Sequence, residues 1–260
     1  KGIAHLGALK GLYDNNYLNN IDTIAGTSVG ALIGTLLVIG YSPEEIYQFI
    51  LHFDLSKMGK INIGGILEKY GLDDGTRIVM VIKKMFENKK ISPDVTLEEL
   101  YNKTKKKLML TTTCINNKKA TYLSYLTHPK LSVVNAIRMS TSVPIYYTPV
   151  IYEGLYYIDG GCADNYPIRL FDSNETIGIY LYDSYELIND INNIEDMLTH
   201  TYYSMLSGIN QFSLTGCEKN TIKIVVTNIS IMELSISNDK KKELFNIGYN
   251  SVANFLSNNK

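Results

Sequence analysis

Gly26-Thr27-Ser28-Val29-Gly30 reads G-x-S-x-G and joins two apolar runs of different character, Ile21 to Ala25 before it and Ala31 to Ile39 after it. The first run is short and partly β-branched, the composition of a buried strand. The second ends at Gly40 with Pro43 beyond, which marks the stop of a helix. A chain that passes abruptly from strand to helix at a serine adopts strained angles there, and glycine at both Gly26 and Gly30 is expected to remove Cβ atoms that would collide. The Ser28 hydroxyl would stand at a helix N-terminus, where backbone N–H groups and the dipole favour an oxyanion. The same residues also suit a purely structural turn in which Ser28 is only an N-cap.

The chain has 260 residues, 45% hydrophobic and 20% charged, enough for one large domain over residues 1–260 and unlike a disordered or fibrous protein. A net charge of −1 speaks against a nucleic-acid-binding groove. Lysines cluster at 83–84, 89–90, 103–107, 118–119 and 240–242, which read as solvated helix ends and turns or as a basic rim for anionic headgroups. Cys114, Cys162 and Cys217 are widely spaced, so neither a disulfide framework nor a zinc site is indicated, and an intracellular, cytoplasmic setting is expected. The longest apolar run, Val29 to Tyr41, is too short to span a bilayer. The chain begins at Lys1 rather than methionine, and an N-terminal segment is expected to precede it.

Helix-like and strand-like runs alternate, which predicts an α/β domain, a three-layer α/β/α sandwich around a largely parallel sheet. Ile3 to Tyr13, with small Ala4, Gly7 and Ala8 among its leucines, reads as a closely packed helix. Ser42-Pro43-Glu44-Glu45 starts a helix reaching Phe53, and Thr96-x-x-Glu99 is a capping box. Gly59 to Gly75 reads as an irregular loop beside the site. Strand-like runs at 107–115 and 120–125 flank a hairpin turn, and helix, strand, helix, strand and helix are expected at 133–139, 176–182, 194–212, 222–229 and 240–256.

A serine nucleophile needs a base. His5, His52, His128 and His200 are the four histidines, and none occupies the loop after a strand where a triad histidine stands. Leu155-Tyr156-Tyr157-Ile158, by contrast, ends in Asp159-Gly160-Gly161, a carboxylate at the point where a strand gives way to a glycine turn. Alone, this reads as an ordinary Asp-Gly turn. Its company changes the reading: Met139-Ser140-Thr141-Ser142-Val143-Pro144 lies upstream and Asn165-Tyr166-Pro167 follows.

Taken together, these motifs resemble the patatin-like phospholipases, serine lipid acyl hydrolases with a Ser–Asp dyad. Their pattern joins G-x-S-x-G, A-S-x-x-x-P, and D-G-G/A followed by N-x-P, and all occur here in order with Met139 in place of the alanine. The resemblance spans residues 1–168, while 169–260 matches only in α/β character. It implies Ser28 as nucleophile, within the elbow Gly26, Thr27, Val29 and Gly30, and Asp159 as base, followed by Gly160 and Gly161. A carboxylate is a weak base in water, so the role requires burial that raises its proton affinity. The family's G-G-G-x-R/K-G oxyanion loop aligns only at Lys1-Gly2-Ile3, with its glycines expected before Lys1, leaving the N–H groups of Gly2 and Val29 as oxyanion donors.

The resemblance further implies a phospholipid or other acyl-lipid substrate, peripheral membrane contact through 61–67 or 146–151, and no metal or other cofactor. No EF-hand spacing suggests calcium. Leu32, Leu36, Ile66 and Leu67 are candidates to line an apolar pocket or simply to fill the core. Two alternatives stay open: a histidine triad using His200 with Asp159 or Asp183, and a non-catalytic lipid- or partner-binding protein on the same fold.

Overall fold

The computed structural model describes residues 2–53, 68–184, 190–227 and 236–258. The fold is α/β. β1 (Thr23–Thr27) lies parallel to β3 (Lys107–Cys114), with Thr27 opposite Thr111. On the opposite edge of β3, β4 (Lys119–Ser124) returns antiparallel through the expected hairpin. β7 (Leu155–Asp159) runs antiparallel to the end of β3, with Asp159 opposite Thr112, and carries β6 (Val150–Tyr152) on its other side. Because β4 occupies one edge of β3 from Met109 to Cys114, β1 and β7 share the other edge and meet end to end. Their C-terminal residues, Thr27 and Asp159, therefore occupy neighbouring rungs.

β1 extends beyond the apolar run Ile21 to Ala25, because its ladder to β3 continues through Gly26 and Thr27. α2 (Val29–Val38) leaves the strand after the single residue Ser28 and packs back on β1 and β3. α3 (Pro43–His52) begins with the full capping box, Ser42 accepting from Glu45 N–H and Glu45 from Ser42 N–H. Much of the 59–75 segment lies outside the described residues, but Gly71–Asp73 is β2, not irregular loop, because it pairs in parallel with β5 (Ile145–Tyr147). α4 (Thr76–Asn88), α5 (Leu97–Thr104) and α6 (Val133–Ser140) complete this part, α5 opening on the expected Thr96–Glu99 box. β8 (Gly178–Ser184) and β9 (Thr221–Thr227) form a second parallel pair, between which runs α7 (Ile194–Leu214).

The closing helix, α8 (Asn238–Asn258), explains the small residues of α1 (Gly2–Asp14). A Cβ on Gly7 would stand 1.9 Å from the carbonyl oxygen of Phe245, and one on Gly248 would stand 1.9 Å from that of Ala4. The two helices thus touch backbone to backbone through reciprocal notches, and Ile3, Leu6, Leu12, Leu244 and Val252 belong to the same buried core. One member of the 240–242 lysine cluster departs from the solvated reading. Lys241 is buried, and its Nζ donates to the carbonyl of Ile50 in the last turn of α3, where a cation is favoured.

Any side chain at either notch separates the helices. Gly248→Leu is expected to cost more than about 3 kcal/mol in denaturant unfolding, above the usual range for overpacking because the clash is with backbone. Gly208→Leu, with open space at its Cβ, is expected to change stability by less than about 1 kcal/mol.

Candidate active site

Ser28 has φ 55° and ψ −123°, a conformation that residues with a Cβ rarely adopt. Its carbonyl accepts the N–H groups of Ala31 and Leu32, but its side chain makes no capping hydrogen bond, so the N-cap role goes unfilled. Gly26 is required by this turn: a Cβ there would lie 2.4 Å from the backbone carbonyl carbon and oxygen of Gly30. Gly30 does not play the matching part. Its Cβ position has no neighbour within 4 Å among the described residues and borders the cavity, because α2 turns this side of residue 30 away from the strand. Of the two elbow glycines, Gly26 alone is sterically required.

What pins the strained serine is a second serine. Ser140, fully buried at the end of α6, accepts the Ser28 N–H at 3.0 Å and donates its hydroxyl to the carbonyl of Thr111 at 2.6 Å. The next two threonines of β3 fix the other strand. Thr112 donates to the carbonyl of Ile158 at 2.7 Å, and Thr113 donates to that of Asp159 at 2.9 Å. The Asp159 N–H is taken by the carbonyl of Ser142 at 2.8 Å. Ser140 was visible in the sequence as part of a motif without a task. The Thr111-Thr112-Thr113 run belongs to no motif in the sequence; the hydroxyls of Thr112 and Thr113 serve the scaffold, whereas Thr111 contributes its carbonyl and its own Oγ1 is unpartnered.

Asp159 is 2% exposed. Its Oδ1 accepts the N–H of Gly161 at 2.8 Å, while Oδ2 is buried without a completed hydrogen bond. The Ser28 side chain faces this carboxylate and favours its charged form, as does the Gly161 N–H, yet burial outweighs both and raises the pKa from 3.8 to about 6. Gly160 lets the chain turn tightly over β3, since a Cβ there would lie 2.3 Å from the carbonyl oxygen of Thr111. Gly2 lies against Val29, where a Cβ would be 2.5 Å from the valine Cγ2, so the start of α1 and the elbow are brought together. Of the first-turn N–H groups of α2, those of Ala31 and Leu32 are taken by the Ser28 carbonyl, and those of Val29 and Gly30 precede the first intrahelical bond.

The wall facing the two side chains comes from α7. Tyr202, Leu206 and Asn210, one turn apart, border the same cavity as Ser28 and Asp159. Cys162 donates its S–H toward the Tyr202 hydroxyl at 3.8 Å, and desolvation, with the nearby Asp159 charge, pushes the thiol up to about 12 and the phenol well above its usual value. The cavity measures about 720 Å³ and includes Leu32 and Leu36; Ile66 and Leu67 lie outside the described residues. Of the two segments expected at a membrane, 61–67 is likewise outside them, and in 146–151 Ile151 is exposed while Tyr147 turns into the cavity.

The histidines lie in other company. His52 bonds the carbonyl of Gln48, His128 meets Thr127, and His200 sits edge-on to Tyr203. His5 borders the cavity, but desolvation drives its pKa down to about 4 and its Nδ1 is unpartnered.

A strained serine at a strand-to-helix turn on an α/β fold, beside a buried carboxylate, places the molecule among proteins built around a nucleophile-elbow geometry. The family profile "Patatin-like phospholipase" matches residues 1–172, and the chain belongs to this family. It is 33% identical to the uncharacterized protein R571 of Acanthamoeba polyphaga mimivirus over 96% of this chain and 88% of that one. It is also 33% identical to the "Probable lipid hydrolase 463L" of Invertebrate iridescent virus 6, over 65% of this chain and 59% of the relative. Among solved structures, VipD from Legionella pneumophila superposes with TM-score 0.63 at 16% identity, covering 99% of this chain and 65% of that one. The type III effector ExoU of Pseudomonas aeruginosa superposes with TM-score 0.58 at 13% identity, covering 100% of this chain and 51% of that one. The likeness to both is one of fold, and the chain spans only part of each.

The two elbow glycines should separate in a thermal melt. Gly26→Ala is expected to destabilise by at least about 2 kcal/mol, because backbone must move. Gly30→Ala is expected to leave stability unchanged or raise it by about 0.5–1 kcal/mol through helix propensity.

Proposed function

We propose that the chain is a lipid acyl hydrolase of the phospholipase A type, with Ser28 and Asp159 as its dyad. The observation that carries this reading is a buried carboxylate, raised toward neutrality and faced by the side chain of a strained serine. Ser28 Oγ attacks the ester carbonyl of a fatty-acyl lipid as its proton passes to Asp159 Oδ2. The tetrahedral oxyanion is received by the N–H groups of Val29 and Gly2, at the positive end of α2. As the carbonyl re-forms, the ester C–O bond breaks and Asp159 returns its proton to the departing alcohol. Water then gives a proton to the same carboxylate and attacks the acyl-serine, releasing the fatty acid and restoring Ser28. The cavity beside the dyad, bordered by Leu32 and Leu36, takes the acyl chain.

The proton affinity of Asp159 suits this cycle. Near neutral pH the group is ionised and ready to accept, yet its conjugate acid is close enough in pKa to give the proton back. The membrane role of the reading is peripheral: no helix among the described residues is long and apolar enough to cross a bilayer.

On a phospholipid or fatty-acyl ester, Ser28→Ala and Asp159→Ala are each expected to reduce hydrolysis to background, while simultaneous replacement of His52, His128 and His200 leaves it largely intact. Activity surviving in either dyad variant would refute the mechanism, as would failure of a fluorophosphonate to label Ser28. The wild-type kcat/KM should rise about tenfold per pH unit below pH 6 and level off above it, since the base acts deprotonated.

Stability carries the opposite sign. A carboxyl whose folded pKa is raised binds more protons folded than unfolded between about 3.8 and about 6, so wild-type stability falls as pH rises through that window. Asp159→Asn is expected to be more stable than wild type by about 3 kcal/mol at pH 7, a difference that fades toward pH 4 in paired urea titrations.

A further inference from the structure

α7 has an outer face that the proposed chemistry leaves unused. From Met197 to Cys217 the sequence contains no Asp, Glu, Lys or Arg, although the helix lies on the surface. Along it Ile194 is 72% exposed, Met197 51%, Met205 59% and Phe212 74%, and Leu198 is also exposed. At 3.6 residues per turn these positions fall in one stripe, roughly 27 Å long and about 110° around the helix from the packed residues Tyr202, Leu206 and Ser213. The remaining flank is polar, with His200, Ser204, Ser207 and Gln211. Three faces thus lie on one helix: one packed against the site, one exposed and dominated by large apolar side chains with Thr201 and Gly208 between them, and one polar and largely exposed, on which His200 is half-buried.

We propose that this stripe is the surface by which the protein docks on a zwitterionic phospholipid bilayer, α7 lying in the plane of the interface. The inference rests on the acyl-lipid reading of the site and names the surface that brings it to its substrate. Two observations select lipid as the occupant. The first is charge: the stripe offers neither sign to a partner, the acids Asp196 and Glu218 bound the uncharged run, and the cation beside it, Arg169, lies over the Phe212 ring at 5.2 Å and is tied to the carbonyls of Phe212 and Thr215. Such a face matches a headgroup layer of no net charge, into which an amphipathic helix sinks its apolar side. The second is position: the adjoining face of the same helix, through Tyr202, Leu206 and Asn210, borders the cavity that holds Ser28 and Asp159. A lipid drawn from the bilayer at α7 is therefore one helix width from the serine.

The test is co-flotation of the full chain with phosphatidylcholine vesicles, for wild type, the stripe variant Ile194→Gln/Met205→Gln/Phe212→Gln, and the polar-flank variant Ser204→Ala/Gln211→Ala. Hydrolysis of a water-soluble short-chain ester and light scattering are read in parallel. Expected are at least tenfold weaker partitioning for the stripe variant only, hydrolysis of the soluble ester within about twofold of wild type, and little effect of raising NaCl to 0.5 M on wild-type binding. Unchanged partitioning of the stripe variant overturns the proposal, as does wild type that fails to float. A stripe substitution that converts a dimer to a monomer without affecting flotation also overturns it and assigns the face to a second copy. If wild type floats but hydrolyses neither vesicles nor the soluble ester, the docking surface stands and the catalytic reading fails.

Discussion

Everything at the site depends on two strands that end against each other on one edge of β3. β1 runs up the edge and β7 runs down it, so the residues that leave them, Ser28 and Asp159, emerge at adjoining rungs although the chain separates them widely. The abutment is held by hydroxyls rather than by apolar packing alone. Thr112 and Thr113 grip the end of β7, and Ser140 ties the carbonyl of Thr111 to the N–H of Ser28. Buried hydrogen bonds of this kind are costly to leave half made, which gives the arrangement a single geometry rather than a range of them.

Within that frame the protein maintains two unfavourable features side by side. Ser28 occupies backbone angles that favour glycine, and Asp159 carries a charge at neutral pH in a place that disfavours it. Each is sustained by surroundings that would have to move together to relieve it: Gly26 packs on Gly30 backbone, Gly160 on Thr111, and the α1–α8 notch locks the helix that places Gly2 beside Val29.

The sequence made the elbow legible because its requirements are local: a strand, a turn and a helix within twenty residues. Asp159 became legible only in company, since an Asp-Gly turn has many uses and its significance came from Ser140 and Asn165 at family spacing. Thr112 and Thr113 were not legible as a scaffold, because their partners lie across the sheet and nothing in a strand's alternation reveals which carbonyls its hydroxyls will meet. The role of α7 was hidden for a similar reason: Tyr202, Leu206 and Asn210 share helical spacing with any packed face, and only the tertiary fold decides what that face covers. Gly30 departs from expectation in the opposite direction: the motif is symmetric about the serine, but the turn is asymmetric and only Gly26 is enclosed.

The notch between α1 and α8 has a consequence for the order of events in the cell. A ribosome completes β1, the elbow and α2 early, but α1 finds its backbone seat only when Phe245 and Gly248 have been made. Until then α1 has its packing against α2, α3 and β8 but not its backbone seat in the notch. Synthesis from one end to the other thus closes the contact between the first and last helices only when nearly all of the described protein has left the exit tunnel.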